Sequence, residues 1–417
     1  MTAPLSAHEA AHQILDAVAM QTIVSVPLDD ALDLVLAERV VSPIQIPFRT
    51  NSAMDGYATR ADDVRGASAD TPVRLEVIET LPAGVVPTRA LGAGQCARIF
   101  TGAPLPEGAD GVIRQEDTDL GADVVTITTD RDAGANFRLA GEDVEVGDQV
   151  LSAGMPLGAA ELGVLSMLAI ARPLVHRRPR VAILGSGDEL ADVDDAEAIL
   201  SGRKIASSNS HTLMALVRQA GAEPVSLGIA RDTPESLRTH LAQAFDCDLL
   251  VTSAGISVGD HDYVRAVLTS LGAEQRFWKL RMRPGAPVAF GMLGSVPWIG
   301  LPGNPVSTMV TFELFVRPAI RKMLGHRTPF RQAVQVMLTE PISLKPRLQH
   351  FLRAIVTAGP RGHEARLTGP QGSGILTSMV KANALLVIPE GQHETPAGTM
   401  VQAILLTDPN HVATAPF

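Results

Sequence analysis

Hydrophobic and polar positions change their spacing several times along this chain. Between residues 7 and 45 the apolar positions fall at helical intervals: Leu15, Val18 and Ala19 share a face, and "LDDALDLVLAERV" continues as a second amphipathic segment. From about 46 to 140 the pattern shortens to β runs, "PVRLEVIE", "CARIF" and "VVTITT", separated by Gly/Pro turns, which predicts a separate small β domain. "GEDVEVGDQVLSAGMPLGAAELGVLSMLAI" returns to β-turn and helix, and "RPLVHRRPR" reads as a linker.

From 180 to 326 strand-like runs alternate with helical ones: "VAIL", "SHTLMALVRQAGA", "PVSLGIA", "PESLRTHLAQAF", "DLLVTS", "DYVRAVLTSLG" and "VPWIG" before "PVSTMVTFELFVRPAIRKML". Uninterrupted apolar strands in such alternation predict a mainly parallel sheet covered by helices on both faces. After 327 helical periodicity vanishes, and "RQAVQVMLTEPISL", "HFLRAIVTAG", "ALLVIPEG" and "TMVQAILL" predict a C-terminal β domain, barrel-like or sandwich-like. The expected fold class is therefore multidomain α/β plus β. A helical and linking region (1–45 and 141–179) flanks an inserted small β domain (46–140), followed by a central α/β domain (180–326) and a β-barrel-like domain (327–417).

Composition narrows the function classes. A chain of 417 residues exceeds one ordinary core. The balance of 35 basic against 45 acidic residues, net −10, argues against a general nucleic-acid binder, since phosphate backbones demand a basic face. The only cysteines, Cys96 and Cys247, have no CxxC spacing, so neither a disulfide framework nor a structural zinc is expected, and a reducing cytoplasm fits. The N-terminus lacks a signal-peptide pattern and no apolar stretch reaches membrane-spanning length, so no membrane association is expected.

The α/β segment carries the chemistry. Its strands run into "GSGDEL", "RDTPESL", "AGISVGDHD" and "LPGNPVS", and parallel strands bring their carboxyl ends to one edge, where such sheets bind ligands. Asp188, Glu189, Asp232, Asp260 and Asp262 would gather there. Any one of them is explained by helix capping, Asp232 before "TPESL" especially, but together with the glycine-rich loops they suit Mg²⁺ shared between carboxylates and a substrate phosphate. "FWKLRMRPGAP" supplies the opposite charge: Lys279, Arg281 and Arg283 alternate with apolar residues as if along one strand face, and Arg283 heads a rigid turn suited to an oxyanion.

"MDGYA" (54–58), "TGAPLPEGAD" (101–110), "RLAGEDV" (138–144), "GSGDEL", "SAGISVGDHDY", "FWKLRMRPG" and "LPGNPVS" occur in the order seen in the molybdopterin molybdenumtransferases (MoeA), and the chain resembles that family, which includes the gephyrin E domain, over essentially its whole length. The resemblance implies transfer of molybdenum from molybdate into adenylylated molybdopterin, with Mg²⁺ as cofactor and AMP released. It implies functional roles for Asp55, Thr101, Asp143, Glu189, Asp232 and Asp262, with Glu189 and Asp262 as metal ligands. Gly255, Ser257, Gly259, Lys279, Arg281, Arg283, Pro302, Asn304, Arg353 and Ser373 would contact substrate. It further implies a homodimer whose active site is shared between chains, and the adenylylating enzyme of the same pathway as a partner. Two other readings use the same residues: a Mg²⁺-dependent nucleotide-pyrophosphate hydrolase, and a non-catalytic molybdopterin-binding scaffold.

The chain departs from the family pattern at Ala254, where glycine is usual and whose backbone must adopt the angle glycine would allow, and at Ala286, where a basic residue is usual. Ser207, Ser208, Asn209 and Ser210 read as helix-capping residues. His211, His261, His350 and His393 are scattered without helical ligand spacing, so a catalytic zinc is not expected; neither a Walker A loop nor a GxGxxG run occurs, and a serine hydrolase is not expected.

Overall fold

The structure, a computed structural model, describes residues 4–254, 263–345, 347–359 and 362–407. These form two compact units: residues 39–153 with 163–171, and the remainder of the chain.

The smaller unit is built on a five-stranded sheet in the order Gly111–Arg114, Gly56–Thr59, Gln95–Ile99, Val73–Leu81, Val124–Ile127. Alternate side chains enter two apolar clusters, one with Tyr57, Leu75, Cys96 and Ile113 and the other with Ala58, Leu81, Ala97 and Val112. Gly56 is required by close approach, since a Cβ there would lie 2.0 Å from the Ile113 carbonyl oxygen.

In the larger unit the first helix, α1 (Ala7–Ala17), is followed by a six-stranded sheet: β1 (Arg180–Ser186), β2 (Glu223–Ala230), β3 (Leu249–Ser253), β4 (Ala273–Trp278), β5 (Ala289–Leu293) and β6 (Val296–Leu301). Its order is β2-β1-β3-β6-β5-β4, with β2, β1, β3 and β6 parallel and β5 and β4 antiparallel. The apolar runs are continuous because both faces are covered. Val181, Ile183, Leu249, Val251 and Ile299 pack toward α1, α2 (Ser208–Gln219) and the helical run that begins at Pro305. Ala182, Leu184, Leu250 and Trp298 pack toward α3 (Pro234–Leu241) and α4 (Tyr263–Ser270), the latter through Val264, Val267 and Leu268.

The C-terminal strands β7 (Ala333–Leu338), β8 (Gln349–Gly359), β9 (Gly362–Leu367), β10 (Ala384–Ile388) and β11 (Met400–Leu405) close into a five-stranded barrel, since β8 pairs with both β9 and β10. Its core is Val336, Leu352, Ala354, Val356, Leu386 and Ala403. Met282–Arg283 runs parallel to the start of β8, so the RPG segment is attached to the barrel.

Four local readings need correction. "LDDALDLVLAERV" is not a helix: only Leu28–Asp30 forms a turn of 3₁₀, Asp33 adopts φ 62°, and Asp33, Leu34 and Leu36 exchange backbone hydrogen bonds with Leu157, Ala31 and Met155. The buried Leu34, Val35 and Leu36 are consecutive, which suits an extended chain covered on both sides. "RPLVHRRPR" is no bare linker, because Leu174–His176 pairs with Ile23–Ser25 and Arg177 holds Asp248 through contacts of 2.7 and 2.8 Å. Lys279, Arg281 and Arg283 do not share one strand: β4 ends at Trp278 and Lys279 turns the chain at φ 77°. The helix cap expected of Asp232 is made by Thr233, whose hydroxyl accepts from the Ser236 amide at 3.3 Å.

Candidate functional site

The strand order reverses between β1 and β3, and there the carboxyl ends of β1, β3 and β6 open into a cavity of about 490 Å³. Gly185 is the penultimate residue of β1, Ser253 ends β3 with Ala254 just after it, and Pro302, Gly303 and Asn304 follow β6. Ala254 takes the strained angle expected of it, φ 75°, and Gly303 makes room for it, since a Cβ on Gly303 would come within 3.3 Å of the Ala254 methyl.

Glu189 lines this cavity and is exposed; among the described residues no hydrogen bond or ion pair engages its carboxylate. The side chain folds back over Gly187, where φ is 146° and a Cβ would meet the carboxylate at 2.5 Å. Beside it, Asp188 and Asp232 exchange long backbone-to-carboxylate contacts of 3.3 and 3.4 Å, while Lys204 bonds the Asp188 carbonyl. Asp232 is thus a brace of the Glu189 loop. Lys204 had no motif to mark it.

Ser207, Ser208 and Asn209 also line the cavity, and the Ser207–Ser210 run is more than a cap. Ser207 is the N-cap of α2 without using its hydroxyl for capping; that hydroxyl meets Ser210 at 2.7 Å. Asn209 reaches across the cavity floor, donating from Nδ2 to the Ser253 hydroxyl (2.8 Å) and the Gly303 carbonyl (2.7 Å). Its Oδ1 is buried and has no partner among the described residues. A buried acceptor left open at a cavity is suited to a donor on a ligand.

Arg283 lies elsewhere in the same unit, exposed in a second pocket of about 370 Å³ with Lys345, Arg347 and His350. Three cations around one opening suit an oxyanion. His350 is kept below the usual histidine range by burial, with the Arg283 charge adding to it and a hydrogen bond to the Lys345 carbonyl opposing. Arg281 is committed to Glu390 at 3.1 Å and to the Pro4 carbonyl. Lys279 is exposed with its ammonium 5.4 Å from the Trp278 ring centre.

Arg353 is fully buried on β8 and lines neither cavity. Its guanidinium donates to the Ser378 hydroxyl (3.0 Å) and to the carbonyls of Pro370 (3.3 Å), Gln371 (3.2 Å) and Gly372 (2.9 Å), and burial lowers its pKa. Ser378 belongs to a one-turn helix, Thr377–Lys381, that the all-β expectation did not contain. The loop so clamped offers the Ser373 carbonyl to the Val306 amide at 3.1 Å, just beyond Asn304.

In the smaller unit, Asp55 accepts from both the amide and the hydroxyl of Thr101, each at 2.8 Å, and these bonds hold its carboxyl below the usual carboxylate range. Asp143 is exposed, its amide bonded to the Ile46 carbonyl at 2.9 Å. Gly255, Ser257, Gly259, Asp260 and Asp262 lie outside the described residues. Among the described residues, no group of three or more His, Cys, Asp or Glu side chains could hold a metal, and no helix is long and apolar enough to cross a membrane.

Histidine spacing also needs correction. An H-E-x-x-H run does occur, His8 to His12 in α1, with the two Nε2 atoms 3.2 Å apart. Glu9 is not available as the base that a zinc hydrolase would need. Its carboxylate accepts from the amide and hydroxyl of Ser6, both at 2.8 Å, completing a capping box.

A doubly wound α/β domain with a cavity at its switch point, a closed barrel and a small β unit together define a multidomain protein of the mixed α/β class. Three family models match in succession: the MoeA N-terminal region (domain I and II) over residues 5–169, a probable molybdopterin binding domain over 182–322, and the MoeA C-terminal region (domain IV) over 335–406. The molybdopterin molybdenumtransferase of Nostoc sp. is 38% identical over 389 residues, 89% of this chain and 86% of that protein. Molybdopterin molybdenumtransferase 2 of Mycobacterium tuberculosis is 38% identical over 393 residues, 92% of this chain and 95% of that one. The crystal structure of the molybdopterin biosynthesis moeA protein from Pyrococcus horikoshii superposes with a TM-score of 0.82 at 30% identity, covering 97% of this chain and 100% of that chain. The chain belongs to the molybdopterin molybdenumtransferase (MoeA) family.

Proposed function

We propose that this protein inserts molybdenum, taken from molybdate, into adenylylated molybdopterin and releases AMP. The observation that carries the reading is the cavity at the β1/β3 switch point, lined beside the start of α2 by Glu189 and Asn209, whose carboxylate and buried Oδ1 have no partner among the described residues. Pterins present amide and amino donors, which suit Asn209 Oδ1, and a phosphate suits the first-turn amides of α2.

Mg²⁺ is normally held by one or two carboxylates together with substrate phosphates, and a lone Glu189 at an open cavity fits that manner of binding. Glu189 and Asp262 are the proposed ligands. When bound, the ion would neutralise charge on the phosphoanhydride. Arg283, with Lys345 and Arg347, is proposed to concentrate the oxyanion. Arg353 acts through the 370–374 loop and is a positioning residue.

The protein is further proposed to work in the cytoplasm as a homodimer, with Asp55 and Thr101 of one chain completing the site of the other, and to receive its substrate from the adenylylating enzyme. Purified protein incubated with adenylylated molybdopterin, Mg²⁺ and molybdate should release AMP and yield active cofactor. Full release in the presence of chelator would remove the metal from the scheme. In mixed dimers of Asp55→Asn and Asp262→Asn chains, one site receives both changes and the other neither, so about half of the activity should return. Mixed dimers as inactive as their parents would refute the shared site.

A further inference from the structure

The His8–His12 pair is not used by the reaction proposed above. It stands on the exposed side of α1, whose other face buries Ala10, Ala11 and Ile14 and whose first turn is fastened by the Ser6–Glu9 capping box. The two rings therefore project from a rigid support, with centroids 4.4 Å apart and planes tilted by 53°. Both line a mainly apolar groove of about 510 Å³ that also includes Phe330, Phe351 and Ile404.

We propose that His8 and His12 form a site for a divalent transition-metal ion, Cu²⁺, Ni²⁺ or Zn²⁺, with the remaining coordination positions open to solvent in that groove. Imidazole nitrogens bind such ions in preference to Mg²⁺. Residues four apart on a helix share a face, which is why two histidines at this spacing can reach one ion. With metal–nitrogen bonds of about 2.0–2.1 Å, two nitrogens 3.2 Å apart subtend about 100° at a shared ion, between square and tetrahedral values. Little rearrangement is needed. Without metal, one Nε2 carries the hydrogen that bridges the pair; on metal binding that ring keeps its hydrogen on Nδ1 instead, and both Nε2 lone pairs become available. Glu9 is committed to Ser6, and among the described residues no third His, Cys, Asp or Glu joins the pair, so it is a binding site and not a hydrolytic centre.

The test is a calorimetric titration of the full chain, purified without a histidine tag and stripped with chelator, with Cu²⁺, Ni²⁺, Zn²⁺ and Mg²⁺ salts in a non-coordinating buffer. The expected result is one equivalent of Cu²⁺ per chain at micromolar affinity, with Ni²⁺ and Zn²⁺ weaker, as the usual affinity order requires, and no Mg²⁺ at this site. Electron paramagnetic resonance of the Cu²⁺ form should show coupling to two imidazole nitrogens. The double variant H8Q/H12Q should lose that one equivalent and that signal while keeping its melting temperature and its turnover, and H8Q or H12Q alone should weaken binding. An unchanged Cu²⁺ titration in the double variant, or a spectrum without paired imidazole coupling in the parent, would overturn the site and leave the contact a hydrogen bond between surface rings.

Discussion

Arg353 on the barrel was expected to contact substrate and Glu189 at the edge of the α/β sheet to hold the metal, and the fold uses them in opposite ways. Arg353 is fully buried, and its donors are taken up by Ser378 and three consecutive carbonyls. Glu189 is exposed at a cavity, and among the described residues its carboxylate has no partner. A buried ionised group is tolerable only when its hydrogen bonds are made, so Arg353 reports on shape. A carboxylate kept unpaired where a ligand can enter is free to act on it. Partner count therefore separates the two better than residue type does.

The largest effect should come from removing Arg353. Arg353→Ala would strand the carbonyls of 370, 371 and 372 in the interior and leave a void, a loss on the order of 3–5 kcal/mol that denaturant unfolding would register. A small stability change with a large change in substrate affinity would break the contrast. Glu189→Gln should do the reverse: turnover falls on the order of 100-fold or more, while the melting temperature stays within a degree or so of the parent.

His326 extends the same logic to pH. Burial, with Arg321 and Arg317 nearby, pushes its pKa from 6.5 down to about 4, so the folded state keeps the ring neutral where the unfolded chain would protonate it. Its contribution to stability is then fully present above pH 6.5 and is lost as pH falls toward 4. Melting temperatures across that interval should fall with acid, and His326→Gln should flatten the dependence. The smallest stability effect is expected at Arg283, exposed at its pocket: Arg283→Ala should cost within about 0.5 kcal/mol but raise the molybdate concentration needed for half-maximal rate. A defect that persists at saturating molybdate would remove Arg283 from oxyanion binding.

Much of the architecture was legible in the amino-acid order. The apolar runs of β1, β3 and β6 announced a sheet buried on both faces, the β runs between 46 and 140 appear as strands, and the motif series pointed to the family to which the chain belongs. The strain at Ala254 could be foreseen from a single departure. These are local properties: periodicity, turn chemistry and motif order reside in neighbouring residues and survive without knowledge of the fold. The segment after Leu28 misled because three consecutive buried residues, Leu34, Val35 and Leu36, satisfy a helical pattern as readily as an extended chain whose backbone bonds go to Met155 and Leu157.

What only the tertiary structure decided was which polar groups are already satisfied. Asn209 looked like a capping residue until Ser253 and Gly303 occupied its amide and left Oδ1 open. Arg353 looked like a ligand contact until the 370–372 carbonyls surrounded it. Sequence names the donors and acceptors, but their availability depends on atoms brought from distant positions by packing, because a hydrogen bond made within the protein is one that a ligand does not receive.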